Sequence, residues 1–357
     1  MFSLVNTYPN LQRYKKKLKY VTFSEKIFSI SSEQEFNNIA LEMFDFQMQK
    51  NPLYADFVNK LRSFRGSQQP MAETFDATFR PEHFTEIPCL PVEFFKNHNI
   101  LIDGENTDQY FASSGTTGIN TSKHFIADFN LYEKSFTKGF SYFWDSPENY
   151  VILALLPNYS EQQNSSLIYM MDSLIKQTQS PESGFFLDDL DELNSRIQQL
   201  KHKKIILFGV SYALLDFAEQ YPQTLENTMV FETGGMKGRR EELSKTELHK
   251  RLCEGFGVEK IYSEYGMTEL LSQAYSKGEN LFSCPPWMRV FTRPLTNPSG
   301  VEKHHVAGGI NVIDLANYKS CPFIATQDLG KTFPDSTFEV LGRIEGSDVR
   351  GCSLLTE

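Results

Sequence analysis

A chain of 357 residues, 40% hydrophobic and 22% charged, has the composition of a globular protein with material for one large domain or two. Lysine and arginine number 35 against 45 acidic residues, a net charge of −10, which argues against a nucleic-acid partner because phosphate neutralisation needs a basic surface. The longest apolar runs, Val151 to Leu156 and Ile205 to Phe208, are too short to span a bilayer, and Met1 to Asn10 has neither a basic start nor a long apolar stretch, so a soluble, cytoplasmic protein without a membrane span is expected.

Five cysteines, Cys89, Cys253, Cys284, Cys321 and Cys352, form no C-x-x-C pair and are odd in number, which suggests reduced thiols rather than a disulfide framework or a zinc site. His304 and His305 are adjacent and would point oppositely on a strand, which suits chelation poorly.

In chain order, Tyr14 to Tyr20 (YKKKLKY) is a basic patch best read as a solvated face. Ser32 and Glu35 form a capping-box pattern, and Phe36, Ile39, Ala40, Met43 and Phe44 recur at helical spacing, predicting a helix from about Ser32 to Lys50 that Asn51-Pro52 interrupts. A second helix runs to about Leu61. The pattern loosens from Gly66 to Pro70, and Pro81, Pro88 and Pro91 then predict extended, turn-rich packing. Asp128 is placed to cap a helix over about Phe129 to Phe143, and Tyr150 to Leu156 reads as a buried strand. Helices near Ser165 to Lys176 and Leu187 to Leu200, a strand Lys204 to Phe208, a helix from Ser211, a strand Met229 to Glu232, a helix around Glu241 to Glu254 and a strand Lys260 to Ser263 follow. Such alternation predicts an α/β fold with a largely parallel sheet covered by helices on both faces. After Cys284-Pro285-Pro286 the texture changes to short strands, Gly308 to Leu315, Phe323 to Thr326 and Phe338 to Gly342, predicting a small β-rich subdomain attached to the sheet. The expected division is a helical region 1–100, an α/β nucleotide-binding core 101–284, and a β-rich subdomain with tail 285–357.

Five clusters have the residue types for phosphate and nucleotide chemistry. Phe111 to His124 (FASSGTTGINTSKH) sets Ser113, Ser114, Thr116 and Thr117 around Gly115 and Gly118. Glycines let backbone N–H groups converge, and hydroxyls add donors, so the segment can cradle a polyphosphate; a flexible linker is the plain alternative. It lacks the G-x-x-x-x-G-K-[ST] pattern of nucleotide triphosphatases. In Glu232-Thr233-Gly234-Gly235-Met236, at the end of a predicted strand, the glycines permit close approach of a flat ring, though alone the segment reads as a turn. In Tyr262-Ser263-Glu264-Tyr265-Gly266-Met267-Thr268-Glu269, at another strand end, a carboxylate beside a hydroxyl and a glycine can hold Mg²⁺ against phosphate oxygens. Asp328 can accept from a ribose diol or simply sit in a turn, and Gly342-Arg343 also begins a turn when taken alone.

In this order the clusters resemble the acyl-adenylate-forming enzymes. Within that superfamily the chain is similar to the acyl-protein synthetases of bacterial bioluminescence in its Met267-Thr268-Glu269-Leu270 context, its Pro285-Pro286-Trp287 segment and its ending from Gly342 to Leu354 (GRIEGSDVRGCSL). Phenylacetate-CoA ligases, which share the absence of a lysine just after the glycine loop, are the next relatives. The resemblance, over roughly Pro88 to Cys352, implies a large adenylate-forming N-terminal domain without the mobile C-terminal lid. Its cofactors would be ATP and Mg²⁺. It implies that Ser113 to Gly118 hold the β- and γ-phosphates, that Gly234 and Gly235 border the adenine, and that Tyr265, with Gly266, flanks the nucleotide. Thr268 would touch the α-phosphate, Glu269 would hold magnesium, and Asp328 would bind the ribose with Arg343 nearby. The implied reaction activates a carboxylic acid, by resemblance a fatty acid, and passes the acyl group to a thiol, Cys352, for delivery to an acyl-accepting partner such as a reductase. Arg343 and Arg350 flank that cysteine, with Asp348 opposing them, a setting that favours a thiolate.

Three other readings are open. The acyl group could pass to coenzyme A or a carrier. Gly209-Val210-Ser211-Tyr212-Ala213 partly imitates a serine-hydrolase elbow, with Ser211 as nucleophile and His304 or His305 as base. A non-catalytic subunit would keep the fold alone.

Overall fold

The structure is a computed structural model and describes residues 23–68, 80–113, 121–157, 162, 164–236, 239–241 and 243–344. The basic patch Tyr14 to Tyr20, most of the glycine loop and Cys352 lie outside the described residues.

Helices α1 (Glu33–Lys50) and α2 (Pro52–Gln68) meet at Asn51, whose amide N–H closes the first helix on Gln47 O at 2.8 Å. Proline opens the second, where its missing N–H costs nothing. Ser32 caps α1 as expected, its hydroxyl accepting from Glu35 N at 3.2 Å, and the Glu35 carboxylate reaches back to accept from the amide and hydroxyl of Ser31 at 2.8 Å each. The proline-rich stretch that follows forms the two-residue strand β1 (Leu90–Pro91) and a single helical turn, α3 (Phe94–Asn97).

Strands β2 (Tyr110–Ala112) and β3 (Lys123–Phe125) pair antiparallel, Phe111 opposite His124, and bracket the glycine loop. Helix α4 (Phe129–Trp144) starts at Asp128, whose carboxylate accepts from Leu131 N, and leads into β4 (Val151–Leu155). The order continues α5 (Ser166–Gln177), β5 (Gly184–Phe185), α6 (Leu190–Gln199), β6 (Ile205–Val210), α7 (Ser211–Gln220), β7 (Thr228–Thr233), α8 (Lys245–Phe256) and β8 (Tyr262–Tyr265). Strands β5, β4, β6, β7 and β8 lie side by side and parallel. Every residue of β4 and β6 is buried, the signature of strands covered on both faces. Burying each Ile or Leu side chain there is worth about 1.5–3 kcal/mol.

Beyond β8 the same sheet continues with antiparallel neighbours: β9 (Ala274–Ser276), β10 (Leu281–Ser283), β14 (Phe338–Arg343), β13 (Phe323–Thr332), β12 (Gly308–Asp314) and β11 (Met288–Arg293), with β1 parallel to β13. The molecule is therefore mixed α/β, with one large sheet flanked by helices. The β-rich texture after Cys284 is the antiparallel half of that sheet, and β8 with the turn after it lies where the two halves meet.

Candidate active site

Ser113, the last described residue before the glycine loop, is tied to Ser122 beyond it: its amide donates to Ser122 O at 3.1 Å and its hydroxyl accepts from Ser122 N at 3.0 Å. These bonds fix both ends of the loop, while Ser114, Gly115, Thr116, Thr117 and Gly118 lie outside the described residues. Lys123 is exposed and stands over the Tyr110 ring, 4.8 Å from its centroid.

The next residue joins this hairpin to the Thr268–Glu269 turn. His124 is buried, with Nδ1 2.9 Å from Thr268 O and Nε2 3.0 Å from Asn317 Oδ1. Asn317 in turn donates through Nδ2 to Glu269 O at 2.8 Å and to Cys321 O at 3.0 Å. Two carbonyls on Nδ2 fix the amide orientation, so Oδ1 faces the imidazole as an acceptor. Both ring nitrogens must then donate for every bond to form. Burial opposes the second proton and lowers the His124 pKa, against the Thr268 carbonyl, the Glu269 charge and Asn317, which favour it. Phe95 closes over the ring edge-on at 5.4 Å.

The stretch after Glu269 is held by Asp314, whose Oδ2 accepts from Leu271 N and Ser272 N at 2.8 Å each and whose Oδ1 accepts from Ser272 Oγ at 2.6 Å. Glu269 itself is buried and Thr268 half-buried. Tyr265, at the end of β8, donates its hydroxyl to Asp328 Oδ2 at 2.8 Å and packs against Phe282 and Phe338. Asp328 is register-paired with Arg343 across β13 and β14, and Arg343 Nη2 donates to Gln327 Oε1. Thus Tyr265, Asp328 and Arg343 adjoin one another, and His124 joins the strand that follows the glycine loop to the Thr268–Glu269 turn.

Gly234 follows β7 with φ of 68°, a backbone that suits glycine, and its carbonyl accepts from Ser211 Oγ at 3.3 Å. Gly266 stands against the Glu264 carboxyl: a Cβ there would lie 2.4 Å from Glu264 Oε1, so the carboxyl would have to shift. The Glu264 carboxyl is buried and accepts from Thr233 Oγ1 at 2.6 Å, and burial first, with the nearby Glu232 charge, raises its pKa to about 7. Beside it, Gln273 Oε1 is buried with no hydrogen-bond partner among the described residues, and a Cβ on Gly266 would lie 3.4 Å from Gln273 Cγ.

Underneath, fully buried Glu232 ties β7 to its neighbours. It accepts from Lys245 Nζ at 2.5 and 2.6 Å, Ser263 Oγ at 2.6 Å and Ser211 Oγ at 3.1 Å, with His249 Nε2 at 3.3 Å. Burial would raise its pKa, but Lys245 and His249 prevail and hold it at about 2. Ser211 is thus the first residue of α7 rather than its cap, and its hydroxyl is engaged by Glu232 and Gly234. His304 bonds Thr332 Oγ1 and His305 packs on Phe333, so neither serves Ser211 as the hydrolase reading requires.

Sequence reasoning did not single out His124, Asn317, Asp314, Gln273 or Lys245, and Glu232 and Glu264 stood inside candidate clusters without a role of their own. His124 could have been suspected from its place at the end of the glycine segment. Asn317, Asp314, Gln273 and Lys245 carry no local signal.

No protein-family profile matches the chain, and no curated protein does. Among solved structures, ATP-bound MatB from Rhodopseudomonas palustris is similar, with a TM-score of 0.49 and 18% identity over 66% of this chain and 47% of its own. O-succinylbenzoate coenzyme A synthetase (MenE) from Bacillus subtilis, in complex with ATP and magnesium, gives a TM-score of 0.47 and 17% identity over 69% of this chain and 53% of its own. A malonyl-CoA ligase with methylmalonyl-CoA and AMP bound gives 0.46 and 16%, over 67% and 53%. The chain spans about half the length of these structures.

Proposed function

We propose that this protein activates a carboxylic acid with ATP and Mg²⁺ and passes the acyl group to a thiol. The observation that carries the reading is the His124–Asn317 link, which seats the strand leaving the glycine loop against the Thr268–Glu269 turn. A carboxylate oxygen of the acid attacks the α-phosphorus of ATP, the bond from that phosphorus to the bridging oxygen breaks, and pyrophosphate leaves. Anion meets anion in that approach, so donors and a cation are needed to spread the charge.

Ser113 to Gly118 are assigned to the β- and γ-phosphates, Thr268 to the α-phosphate, Gly234 and Gly235 to the adenine, and Tyr265, Gly266, Asp328 and Arg343 to the nucleoside. Among the described residues no group of three or more His, Cys, Asp or Glu side chains could hold a metal ion. One carboxylate, that of Glu269, fits magnesium, which is commonly held by one or two carboxylates plus substrate phosphates and water. The cation supplies charge neutralisation at the phosphates.

The acid is assigned as aliphatic, a fatty acid being the first probe. Glu264 and Gln273 beside Gly266 favour a second probe class, acids that carry a hydroxyl. Cys352, outside the described residues, is assigned as acyl acceptor on its Arg-Gly-Cys-Ser-Leu setting: its thiolate attacks the acyl carbon, AMP leaves, and a thioester forms for a partner such as a reductase. The stretches 1–100, 101–284 and 285–357 then act as one adenylate-forming unit.

The test is Cys352→Ser followed in a single turnover. Pyrophosphate release should persist while hydroxylamine-sensitive acyl label on denatured protein disappears. Label that stays moves the acceptor elsewhere, and label that requires added coenzyme A or carrier transfers the role to that thiol.

A further inference from the structure

A cavity of about 560 Å³ lies against β13, away from the Tyr265–Asp328 contact, because successive strand residues point to opposite faces and Gln327, not Asp328, lines it. Its walls are mainly apolar, with Phe57 and Leu61 of α2, Ile87, Phe291 and Ala325 among them, and its size falls within the range of about 300–1,000 Å³ that holds small molecules. Leu295, at the rim, is 55% exposed, so the apolar lining continues to the mouth.

Among the described residues, one cation lines this cavity. Arg293, at the end of β11, folds over Gly309, where a Cβ would stand 2.7 Å from the guanidinium carbon. Nη1 donates to Ile310 O and Asn311 Oδ1 at 2.7 Å each and Nη2 to Thr326 O at 2.6 Å. Those three acceptors are neutral. A guanidinium carries five N–H groups, so two are left. Among the described residues no carboxylate pairs with it, although a half-buried charge is costly without a counter-ion. The acidic side chains that line the cavity are engaged elsewhere: Glu86 accepts the Glu82 and His83 amides, and Glu93 accepts from Gln327 Nε2. Burial lowers the Arg293 pKa, with Cys89, Glu93 and Asp328 opposing, and burial also keeps the Cys89 thiol neutral, so that thiol supplies no anion.

We infer that this cavity binds an apolar monocarboxylate, its carboxylate on the two remaining N–H groups of Arg293 and its hydrocarbon body against Phe57, Leu61, Ile87 and Phe291. The site is separate from the proposed nucleotide site and needs no nucleotide, so it stands or falls apart from the adenylation reading. Gln327 nevertheless spans from Glu93 in the cavity wall to Arg343, which puts the two sites one side chain apart.

Decanoate carrying a diazirine, photolysed with the full chain in the absence of nucleotide and mapped by peptide mass, tests this. Label is expected on residues 85–93 or 291–300, displaced by decanoate and at least tenfold less well by decanol. Ala325→Leu, which fills the cavity and leaves Arg293 in place, should cut that label at least tenfold without lowering the thermal midpoint. Arg293→Gln should do the same for label; because it also removes three internal hydrogen bonds, Ala325→Leu decides if the Gln variant does not fold. Equal displacement by decanol, or labelling that survives Ala325→Leu, overturns the inference. Label confined to residues 262–273 also overturns it, while leaving the adenylation reading intact.

Discussion

Glu269 and Glu264 stand five residues apart in one segment and are both buried, yet they call for opposite tests. Glu269 is the assigned magnesium carboxylate, and Glu269→Gln keeps the shape while removing the charge. Pyrophosphate release should fall by about 10² or more, roughly 3 kcal/mol in the barrier, with the melting temperature nearly unchanged. Full activity in that variant would remove the residue from the metal. Glu264 is a stability test. Its folded pKa of about 7 lies above the ordinary carboxylate value of 4.5, so the folded state holds the proton more tightly than the unfolded chain. Stability from this group is therefore greatest below pH 4.5 and declines as pH rises to about 7, by an amount on the order of 3 kcal/mol. Glu264→Gln should raise the melting temperature at pH 8 and change it little at pH 4.5. A gain of equal size at both would contradict the buried, proton-holding carboxyl.

Among the elements, the β2–β3 hairpin is held by Phe111 against Phe129, Tyr132 and Tyr169 and by Ala112 N on Asn164 O, and His124 is its link to the Thr268–Glu269 turn. His124→Phe retains the edge contact with Phe95 but removes both ring nitrogens that face Thr268 O and Asn317 Oδ1, and with them at least one donated hydrogen bond. Each unsatisfied buried acceptor costs about 1–3 kcal/mol, so urea midpoints should drop and pyrophosphate release should fall more than tenfold. An active, fully stable variant would show that the Thr268–Glu269 turn does not depend on that link. The physical distinction between what was legible in the chain and what was not is sequence separation. Ser32 to Lys50, Asp128 with its helix and the buried runs of β4 and β6 announce themselves through caps, period and composition within a few residues. The glycine loop, the Tyr-Gly-Met-Thr-Glu turn and Asp328 are equally local. His124 meets Thr268 across 144 positions and Asn317 across 193, and nothing local marks either partner. Short strands such as β2, β9 and β10, of three residues each, are likewise set by their pairing partners rather than by their own pattern.

At the scale of the whole molecule, the junction between the parallel and antiparallel halves of the sheet concentrates the buried charge. Glu232, held at about 2 by Lys245 and His249 despite its burial, adds stability that is complete above pH 4.5 and is lost as pH falls through 2. Glu264 acts in the reverse sense at higher pH, so these two groups together favour the fold most near pH 4.5 to 5. Glu232→Gln should accordingly lower the melting temperature at pH 5 and remove part of the acid sensitivity between pH 4.5 and 2, seen as a shallower fall of melting temperature over that interval. The same junction carries the turn on which the adenylation reading depends, and that reading is tested most directly by ATP–pyrophosphate exchange. Labelled pyrophosphate, magnesium and the folded full chain are incubated with carboxylic acids of increasing chain length, with and without a hydroxyl. Acid-dependent incorporation of label into ATP that vanishes without magnesium is the expected result. No exchange with any acid, from protein whose fold is verified in the same buffer, would contradict it.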